Sequence, residues 1–557
     1  MEWKPIQEFT LRGTFGIYTQ TSNTDNYLPP EHTSFADYTD ENYFRRGSYD
    51  YSTNKSSRYN FSLTANYSKV FAEKHMVYAG LNMDLEDQRS RGYSFSVEGF
   101  PSGSLDFLSV AMQYKENGKP GGSESKSRRV GFVGNASYSF EDRYFVDASF
   151  RTDGSSLYGS DRRFAPFWSA GIGWNIHREG FMSDVDWINR LKIRASVGET
   201  GSNNFSSYEA MATYAYSLSD RYYNWMGANM KALANPDLEW QKTMKYNAGI
   251  EVNMLNNRLS MICDLYLERT NGLMSSLELP PSNGFSSYKA NIGKLENKGF
   301  ELKVTGYLLR DTERELIWSV TGSLVRNKDK IIELSEAMKE ANATLLETGG
   351  ATPNKIWQEG DSQNAIYAVR SLGIDPSNGR ELFLKKNGEV TYTWDANDRV
   401  FCGVDQPDYR GNINTMFMWK DLSVNLSFGY EWGGQQYNST LISRVENADK
   451  KYNVDRRVYE DRWKEPGDRT FFKGINETTA TQATSRFVQD EATFTCQNLN
   501  VTYDLKGNKW LKRNLGIQTL TLKGDIADLF RISTIKQERG TSYPFSRQFS
   551  FTLSAMF

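Results

Sequence analysis

The side chains that most often perform chemistry in proteins are scarce and scattered in this sequence. Three histidines and three cysteines occur among 557 residues, and His32, His75 and His177 lie too far apart for metal-ligand spacing. The motifs of serine hydrolases, zinc peptidases and P-loop proteins are absent from the sequence, and its many acidic residues form no carboxylate pair typical of a glycosidase. We therefore predict a protein that is not an enzyme, with no catalytic residues, no metal site and no cofactor.

Aromatic side chains are the stronger candidates for ligand contact. They make up 14% of the chain, and several lie in polar segments between regularly patterned ones. An aromatic face can stack on a sugar ring, while nearby carboxylates and amides bind its hydroxyl groups. The residues predicted to contact a ligand are Tyr222, Tyr223, Trp225, Trp357, Tyr392 and Trp394. For each of them singly, the alternative is packing within its own loop or a place at a membrane interface.

The segments that would carry these loops alternate between apolar and polar residues. From Leu422 to Trp432, alternate positions are Leu, Val, Leu, Phe, Tyr and Trp, and the residues between them are Ser, Asn, Ser, Gly and Glu. The same alternation recurs at residues 61–67, 130–140, 144–150 and 549–557. Such segments run for about ten residues, the length that a tilted strand needs to cross a bilayer. Aromatic residues near their ends favour an outer-membrane β-barrel over a soluble β-sandwich.

The connections between these strands tend to alternate between short and long. We count about sixteen strands, which begin near Phe9, Tyr59, Met76, Val130, Tyr144, Phe164, Leu191, Thr243, Leu259, Gly299, Ile317, Arg410, Leu422, Thr493, Gln518 and Phe545. Short connections include residues 71–75 and 141–143, and long ones include 200–241, 328–408 and 433–490. Short periplasmic turns and long extracellular loops are typical of outer-membrane barrels. Residues 179–190 are predicted to form a short amphipathic helix on the short-turn side.

Composition is consistent with this class. The net charge of −2 indicates neither a basic surface for nucleic acid nor an acidic tail. The hydrophobic fraction of 38% is too low for several conventional cores. No apolar stretch approaches the ~20 residues that a transmembrane helix needs.

Several blocks of sequence resemble the β-barrel of SusC/RagA-family TonB-dependent transporters. The clearest are YFVDASFRTDGSS at residues 144–156, RFAPFWSAGIGW at 163–174 and LKIRASVGETG at 191–201. Further similar blocks are residues 235–240, 291–302, 372–376 and 486–490. The chain also ends in Phe557, as many outer-membrane proteins end in phenylalanine. The resemblance is collinear from about residue 130 to the end and looser over residues 1–129.

The resemblance implies an all-β, antiparallel transmembrane barrel of 22 strands in the bacterial outer membrane. Residues 1–557 would form one barrel domain that supplies about sixteen of these strands, without the TonB box and plug domain of the family. We therefore expect an N-terminal plug and barrel portion, from a separate chain or a longer one, to complete the barrel. The alternative is closure of this chain on itself as a sixteen-stranded, porin-like barrel.

The resemblance also implies a function and partners. In this family TonB acts on the plug to power import, and a SusD-like surface lipoprotein covers the mouth of the barrel. We expect a subunit for uptake of glycan oligosaccharides, with the loops at residues 328–408 and 433–490 long enough to contact the lipoprotein. The alternatives are a peptide importer and a surface-binding or adhesion barrel that does not import its ligand.

Relatives in this family often carry a D-x-N-x-D-G loop of calcium-binding type where this chain has residues 381–390 and 395–398. Here Lys385 and Lys386 stand beside Asn387 and Gly388, and the first carboxylates of the motif are missing. Calcium requires several oxygen ligands at close spacing. The resemblance therefore does not change the prediction that the chain binds no metal ion.

Overall fold

The computed structural model describes most of the chain. The described residues are 1–116, 118–159, 163–202, 207–223, 225–278, 284–285, 287–347, 349–449, 451, 453–506, 509–536 and 547–557. Strands dominate among them, and the helices are short. In this part of the chain, no helix has the length and the apolar character that a membrane span requires.

The strands are numbered in chain order. They are β1 (Glu2–Ile6), β2 (Phe9–Leu28), β3 (Ser48–Phe71), β4 (His75–Glu98), β5 (Gln113–Tyr114), β6 (Gly121–Phe140), β7 (Tyr144–Ser155), β8 (Phe164–Asn175), β9 (Ile188–Ser202), β10 (Thr213–Tyr222), β11 (Trp225–Ala232), β12 (Gln241–Met254), β13 (Leu259–Glu278), β14 (Ser287–Asp311), β15 (Leu316–Leu334), β16 (Ala365–Ile374), β17 (Glu381–Leu384), β18 (Val390–Thr391), β19 (Arg399–Val404), β20 (Tyr409–Trp419), β21 (Leu422–Tyr437), β22 (Val488–Lys506), β23 (Thr519–Ser533) and β24 (Gln548–Met556). The helices are α1 (Glu336–Glu347), α2 (Ser439–Leu441), α3 (Arg457–Glu460) and α4 (Lys509–Leu515), and a π-helical turn spans Ile442–Glu446.

Eighteen strands form one antiparallel sheet in which successive strands pair along the chain, except that the two-residue strand β5 and the long strand β6 both pair with β4. The sheet runs from β1 to β9, continues through β12–β15 and ends with β20–β24. The hairpin β10–β11 and the four-stranded sheet β16–β19 lie in the loops between these strands. Within the described residues β1 and β24 do not pair, so the sheet is open, which contradicts the alternative of a self-closed barrel.

The predicted strands are confirmed in position, and the observed strands are longer than predicted. Fifteen of the sixteen predicted starts lie in or directly before an observed strand, and the sixteenth, Phe545, lies outside the described residues. The sequence pattern missed two strands of the sheet, β1 and the two-residue strand β5. Strands β3 and β4 each have 24 residues, which at ~3.3 Å per residue reach about 80 Å. Since the hydrocarbon core is only ~30 Å thick, the long-loop ends of these strands extend beyond the membrane.

The inner face of the sheet is largely polar, and side-chain hydrogen bonds link neighbouring strands on it. Asn82 Nδ2 donates to Ser62 Oγ over 3.0 Å and to Thr64 Oγ1 over 2.8 Å. On the same face, the Tyr78 hydroxyl donates to Asn66 Oδ1 over 2.9 Å. Such ladders bind neighbouring strands to one another and present a hydrophilic surface between them.

The outer face is apolar and exposed. Phe15, Leu81 and Phe551 are 67%, 67% and 74% exposed, respectively. Burial of apolar surface is worth ~25 cal/mol per Å², so a soluble protein would cover such a face, whereas lipid covers it in a membrane barrel. This orientation confirms the prediction from the alternating sequence pattern.

Hydrophobic cores lie at the long-loop ends of the strands. Four clusters of buried side chains are Tyr158, Ala165, Phe167, Ala210, Leu238 and Trp240; Leu295, Ile331, Leu334 and Met338; Leu441, Ile442, Val445, Val458, Phe472 and Phe487; and Ile356, Ala365 and Tyr367. Each cluster includes residues of the long loops. The loops therefore fold by ordinary hydrophobic packing, whereas the membrane-facing sheet depends on its hydrogen-bond ladders and on lipid.

The connection at residues 179–190 differs from the sequence-based prediction. Two 3₁₀ turns, Ile176–Arg178 and Gly180–Met182, precede β9, and the predicted amphipathic helix is not formed. Phe181 and Trp187 are 67% and 56% exposed, so the two largest apolar side chains of the segment are not covered by the rest of the described chain. A helix of this length is marginal without tertiary packing, which explains why the apolar spacing was misleading here.

Candidate ligand-binding site in the outer loops

The two longest outer loops fold against each other into one body, which we call the loop unit (residues 335–408 and 438–487). The Val369 N–H donates to Ala483 O over 3.4 Å, and the Ser371 N–H donates to Ser485 Oγ over 2.9 Å. Trp394 Nε1 also donates to Ala483 O, over 3.0 Å. These bonds join the sheet β16–β19 of the first loop to the segment that leads into β22. Residues about 100 positions apart in sequence therefore share one site.

A buried ionic cluster connects the two halves of the loop unit. Arg486 Nη2 lies 2.8 Å from Glu381 Oε2 and 2.8 Å from Glu446 Oε1, and none of the three side chains is more than 5% exposed. The hydroxyls of Thr484 and Ser371 also donate to Glu381 Oε1, over 2.9 and 2.6 Å. Burial by itself lowers the pKa of Arg486, but the two carboxylates outweigh it and hold that pKa above its ordinary value.

Beside this cluster lies a cavity of about 350 Å³, which we call the aromatic cavity. Its lining residues are Arg380, Glu381, Phe383, Tyr392, Thr393, Trp394, Lys473, Glu477, Thr479, Ala480, Thr481 and Gln482. A cavity of this size, with aromatic surface and a few polar groups, is typical of a small-molecule binding site.

Tyr392 is held in place within the aromatic cavity by polar contacts. Its hydroxyl donates to Asp375 Oδ2 over 2.5 Å and accepts a hydrogen bond from Asn378 Nδ2 over 3.0 Å. The guanidinium carbon of Arg380 lies 4.8 Å from the centre of the Tyr392 ring. The hydrogen bond from Tyr392 is also the main reason that the pKa of Asp375 lies below its usual range. The ring is therefore presented in a fixed orientation.

Lys473 brings a buried positive charge to the same cavity. The residue is 5% exposed, and its ammonium donates to the backbone carbonyl of Thr479. Among the described residues, no carboxylate oxygen lies within 4.0 Å of this ammonium. Burial lowers the pKa of Lys473, and the more distant Glu446 and Glu477 partly oppose that effect. A buried ammonium with unused donor capacity favours a ligand that supplies acceptor oxygens.

A second cavity, of about 360 Å³, adjoins the aromatic cavity. Arg380 and Glu477 line both cavities, and their charged groups lie 3.5 Å apart. Tyr459 and Trp463 line the second cavity, and Trp463 Nε1 donates to Pro376 O over 2.9 Å. The two aromatic-lined cavities thus lie on either side of one ion pair. Together they have room for a ligand of more than one ring.

The structure places three of the predicted contact residues in the loop unit. Tyr392 and Trp394 meet in the aromatic cavity. Trp357 instead packs beside α1, where Asn342 Nδ2 donates to its carbonyl oxygen over 2.6 Å, as in the packing alternative stated for it. Sequence analysis missed Lys473, because it comes from the second loop and no local pattern connects it with Tyr392.

The remaining predicted residues lie on the hairpin β10–β11. Tyr223 and Trp225 are 88% and 78% exposed at its turn, while the side chain of Tyr222 lies outside the described residues. Tyr214 and Tyr216 on β10 are also 63% and 74% exposed. The hairpin thus presents a row of aromatic side chains away from both cavities of the loop unit.

The inner face of the sheet carries a separate polar cavity of about 890 Å³. Its charges are largely paired: Arg194 Nη2 lies 2.7 Å from Asp264 Oδ2, and Lys245 Nζ lies 2.9 Å from Glu268 Oε1. Other lining residues include Asp147, Asn247, Tyr266, Asn297, Glu301, Asn327 and Arg410. The concave side of the sheet is therefore hydrophilic.

The segment considered for calcium forms a tight turn with internal contacts. Lys385 Nζ lies 2.9 Å from Glu389 Oε2, and Asp398 Oδ1 accepts the backbone N–H of Lys386 over 3.0 Å. Asp395 Oδ1 likewise accepts the Asn397 N–H over 2.9 Å. In the described ranges, no three His, Cys, Asp or Glu side chains are grouped in a way that could hold a metal ion.

Comparison with known proteins assigns the chain to a family. The family described as TonB dependent receptor-like, beta-barrel, matches residues 2–522. TonB-dependent receptor P39 of Formosa agariphila is 24% identical over 519 residues, which cover 84% of this chain and 48% of that protein. TonB-dependent receptor SusC of Bacteroides thetaiotaomicron is 27% identical over 338 residues, which cover 58% of this chain and 33% of SusC.

A solved structure shows the same fold. The structure of the RagAB peptide transporter superimposes with a TM-score of 0.82 at 22% identity, over 96% of this chain and 58% of the other. The chain thus spans about half the length of receptor P39 and of the matched chain of the RagAB structure. Its lipid-facing strands, polar inner face and packed outer loops are those of an outer-membrane barrel. The chain belongs to the TonB-dependent receptor β-barrel family and is similar within it to SusC and RagA.

Proposed function

We propose that the chain forms the wall and outer loops of an outer-membrane importer for TonB-dependent uptake of glycan oligosaccharides. The proposal rests on the two different faces of the sheet. The apolar outer face suits contact with lipid, and the polar concave face suits the lining of a hydrophilic passage. Membership of the receptor family supports the dependence on TonB. The proposal assigns no covalent chemistry to any residue.

The aromatic cavity is the proposed contact site for the glycan. Tyr392 and Trp394 offer ring surfaces for stacking on sugar rings. Lys473 offers an ammonium to ring and hydroxyl oxygens, and the Arg380–Glu477 pair offers both a donor and an acceptor. The adjoining cavity extends this surface, in keeping with an oligosaccharide rather than a single sugar.

A peptide importer is the second candidate. The RagAB structure is that of a peptide transporter, and its fold matches this chain. Lys473 suits a peptide carboxylate, and Glu477, which is partly exposed, suits a peptide amino group. The charges of the aromatic cavity are thus compatible with either cargo, and the aromatic rings favour the glycan.

The test is a comparison of oligosaccharide and peptide binding to the purified protein. We expect oligosaccharides to bind, and Trp394→Ala to weaken their binding about tenfold, which corresponds to the ~1.4 kcal/mol of a good aromatic contact. The matched control is Trp419→Ala, because Trp419 is 51% exposed at the short-turn end of β20. Equal affinity in wild type and Trp394→Ala would contradict the site. Binding of peptides alone would replace the glycan with a peptide as cargo.

The proposal includes two protein partners. A SusD-like surface lipoprotein would cover the barrel mouth, and the exposed aromatic side chains of the hairpin β10–β11 are its proposed contact. An N-terminal plug and barrel portion would supply the strands that pair with β1 and β24, and would receive the action of TonB. The free sheet edges support this second partner, because lipid cannot satisfy unpaired backbone groups.

A further inference from the structure

The outer face of the sheet changes from apolar to basic within a few residues along β3, β4 and β6. The strand register places Phe61, Leu85 and Val130 side by side in one row of the outer face. Three further rows of the outer face follow toward the long loops. In order they are Tyr59, Asp87 and Arg128; Ser57, Arg89 and Lys126; and Lys55, Arg91 and Glu124. We call Lys55, Arg89, Arg91, Lys126 and Arg128 the outer basic patch.

The outer basic patch has more cations than carboxylates. Arg89 Nε and Arg128 Nε share Asp87, at 2.9 and 2.8 Å from its two carboxylate oxygens, and Arg91 Nη2 lies 3.1 Å from Glu124 Oε2. The two lysines, Lys55 and Lys126, have no carboxylate oxygen within 4.0 Å in the described part of the chain. Five cations face two carboxylates, so the patch attracts anions to the outer wall.

An apolar groove of about 560 Å³ adjoins the patch. Its apolar lining residues are Phe15, Phe61, Leu85, Val130 and Phe164. The charged residues Arg128 and Arg163 also line it, together with Asp87, which pairs with Arg128. Gly154 allows the Phe164 ring to lie flat against the strand beside the groove, because a Cβ at this position would lie 2.4 Å from Cε1 of that ring. One surface therefore joins a hydrocarbon-lined groove to a set of guanidinium and ammonium groups.

We propose that the groove and the outer basic patch bind a phosphorylated lipid of the outer leaflet. An acyl chain would occupy the groove, and the phosphate would contact Lys55, Lys126 and Arg128. The position supports a lipid over a soluble anion, because the groove lies on the lipid-facing side and the patch begins where the apolar rows end. Basic side chains just beyond the apolar rows meet lipid phosphates, which attract them electrostatically. This inference rests on the outer-membrane location and is independent of the imported cargo.

The test measures the phosphorylated lipid that remains bound to the protein. The full protein, with its natural partners, is purified from its own outer membrane in mild detergent, and bound lipid is counted by native mass spectrometry. The variant is Lys55→Gln with Lys126→Gln, and the control is Lys420→Gln with Lys509→Gln, which removes the same charge at the short-turn end. We expect about fivefold weaker retention per cation removed from the patch, and retention at the wild-type level in the control.

A second measurement separates a lipid from a free anion. Delipidated protein is titrated with vesicles that contain lipid A, a phosphorylated glycolipid, and separately with inorganic phosphate. We expect binding to the vesicles and no competition by inorganic phosphate at equal phosphate concentration. The proposal would be overturned if the patch variant and the control variant lost equal amounts of bound lipid. It would also be overturned if inorganic phosphate bound as tightly as the lipid. If the double variant does not fold, lipid retention is measured instead for the single variants Lys55→Gln and Lys126→Gln.

Discussion

Arg486 and Lys473 are two buried cations of the loop unit with opposite surroundings. Arg486 contacts Glu381 and Glu446 directly, whereas Lys473 donates to a backbone carbonyl. Removal of Arg486 would leave two buried carboxylates without their counter-charge. We therefore expect Arg486→Met to destabilise the loop unit by ~3–5 kcal/mol. Hydrogen exchange of the backbone amides at residues 438–487 measures this local stability.

Lys473→Met is the matched control for that variant. It also replaces a buried cation with a side chain of similar length, but the charge it removes has no carboxylate within 4.0 Å in the described residues. Because a buried charge without an ion pair costs free energy, we expect unchanged or slightly higher stability. Similar losses in both variants would show that any change at the centre of the loop unit destabilises it, and would remove the special role of Arg486.

At the level of single residues, the sequence identified only part of the candidate site. Tyr392 and Trp394 were selected because aromatic rings in the long polar loops can stack on sugar rings. Lys473 and Arg486 are ordinary loop residues by type, and their roles follow from burial. Burial in the loop unit depends on contacts between segments about 100 residues apart, which alternation within a strand does not encode.

The elements of the sheet were predictable because a barrel strand has two simple environments. Lipid faces one side and a polar interior faces the other, so the sequence alternates along β21 as it does along β3. Outside the membrane this constraint ends, and the hairpin β10–β11 and the sheet β16–β19 were not predicted. Their strands follow from packing between loops. The failed helix at residues 179–190 has the same cause, because apolar spacing alone does not supply a packing partner.

The hairpin β10–β11 allows a test at the level of an element. We expect Tyr216→Ser with Trp225→Ser to lower copurification of the proposed partner, a SusD-like lipoprotein co-expressed with the chain, at least tenfold, because exposed aromatic residues are frequent interface hot spots. The measurement is the ratio of the two proteins after affinity purification from outer membranes.

The matched control for the hairpin is Phe401→Ser. Phe401 is 48% exposed on β19, in the loop unit that the sequence suggested as the lipoprotein contact. We expect the lipoprotein to remain bound to this variant. Loss of the lipoprotein from Phe401→Ser, with retention by the hairpin variant, would move the interface to the loop unit.

For the whole molecule, the decisive feature is the open sheet. Strand β24 pairs with β23 on one side, and β1 pairs with β2, but β1 and β24 do not pair within the described chain. Each free edge presents a row of N–H and C=O groups, and each unsatisfied group costs several kcal/mol in hydrocarbon. Additional strands between β1 and β24 would satisfy these groups. The chain matches only about half of receptor P39 and of the RagAB chain, which is consistent with such additional strands.

Closure by additional strands can be tested through resistance to SDS. We expect the chain expressed alone with a signal peptide to unfold in SDS without heating, and the chain co-expressed with the N-terminal portion of a SusC-like relative to stay compact until heated. A cysteine pair at Trp3 and Phe551, with Cys263, Cys402 and Cys496 changed to Ser, reports whether the two edges meet. A cross-link in the chain alone, together with SDS resistance, would mean that β1 and β24 pair directly. If the chain alone shows neither the cross-link nor SDS resistance, and co-expression with the N-terminal portion restores SDS resistance, then other strands complete the open edges.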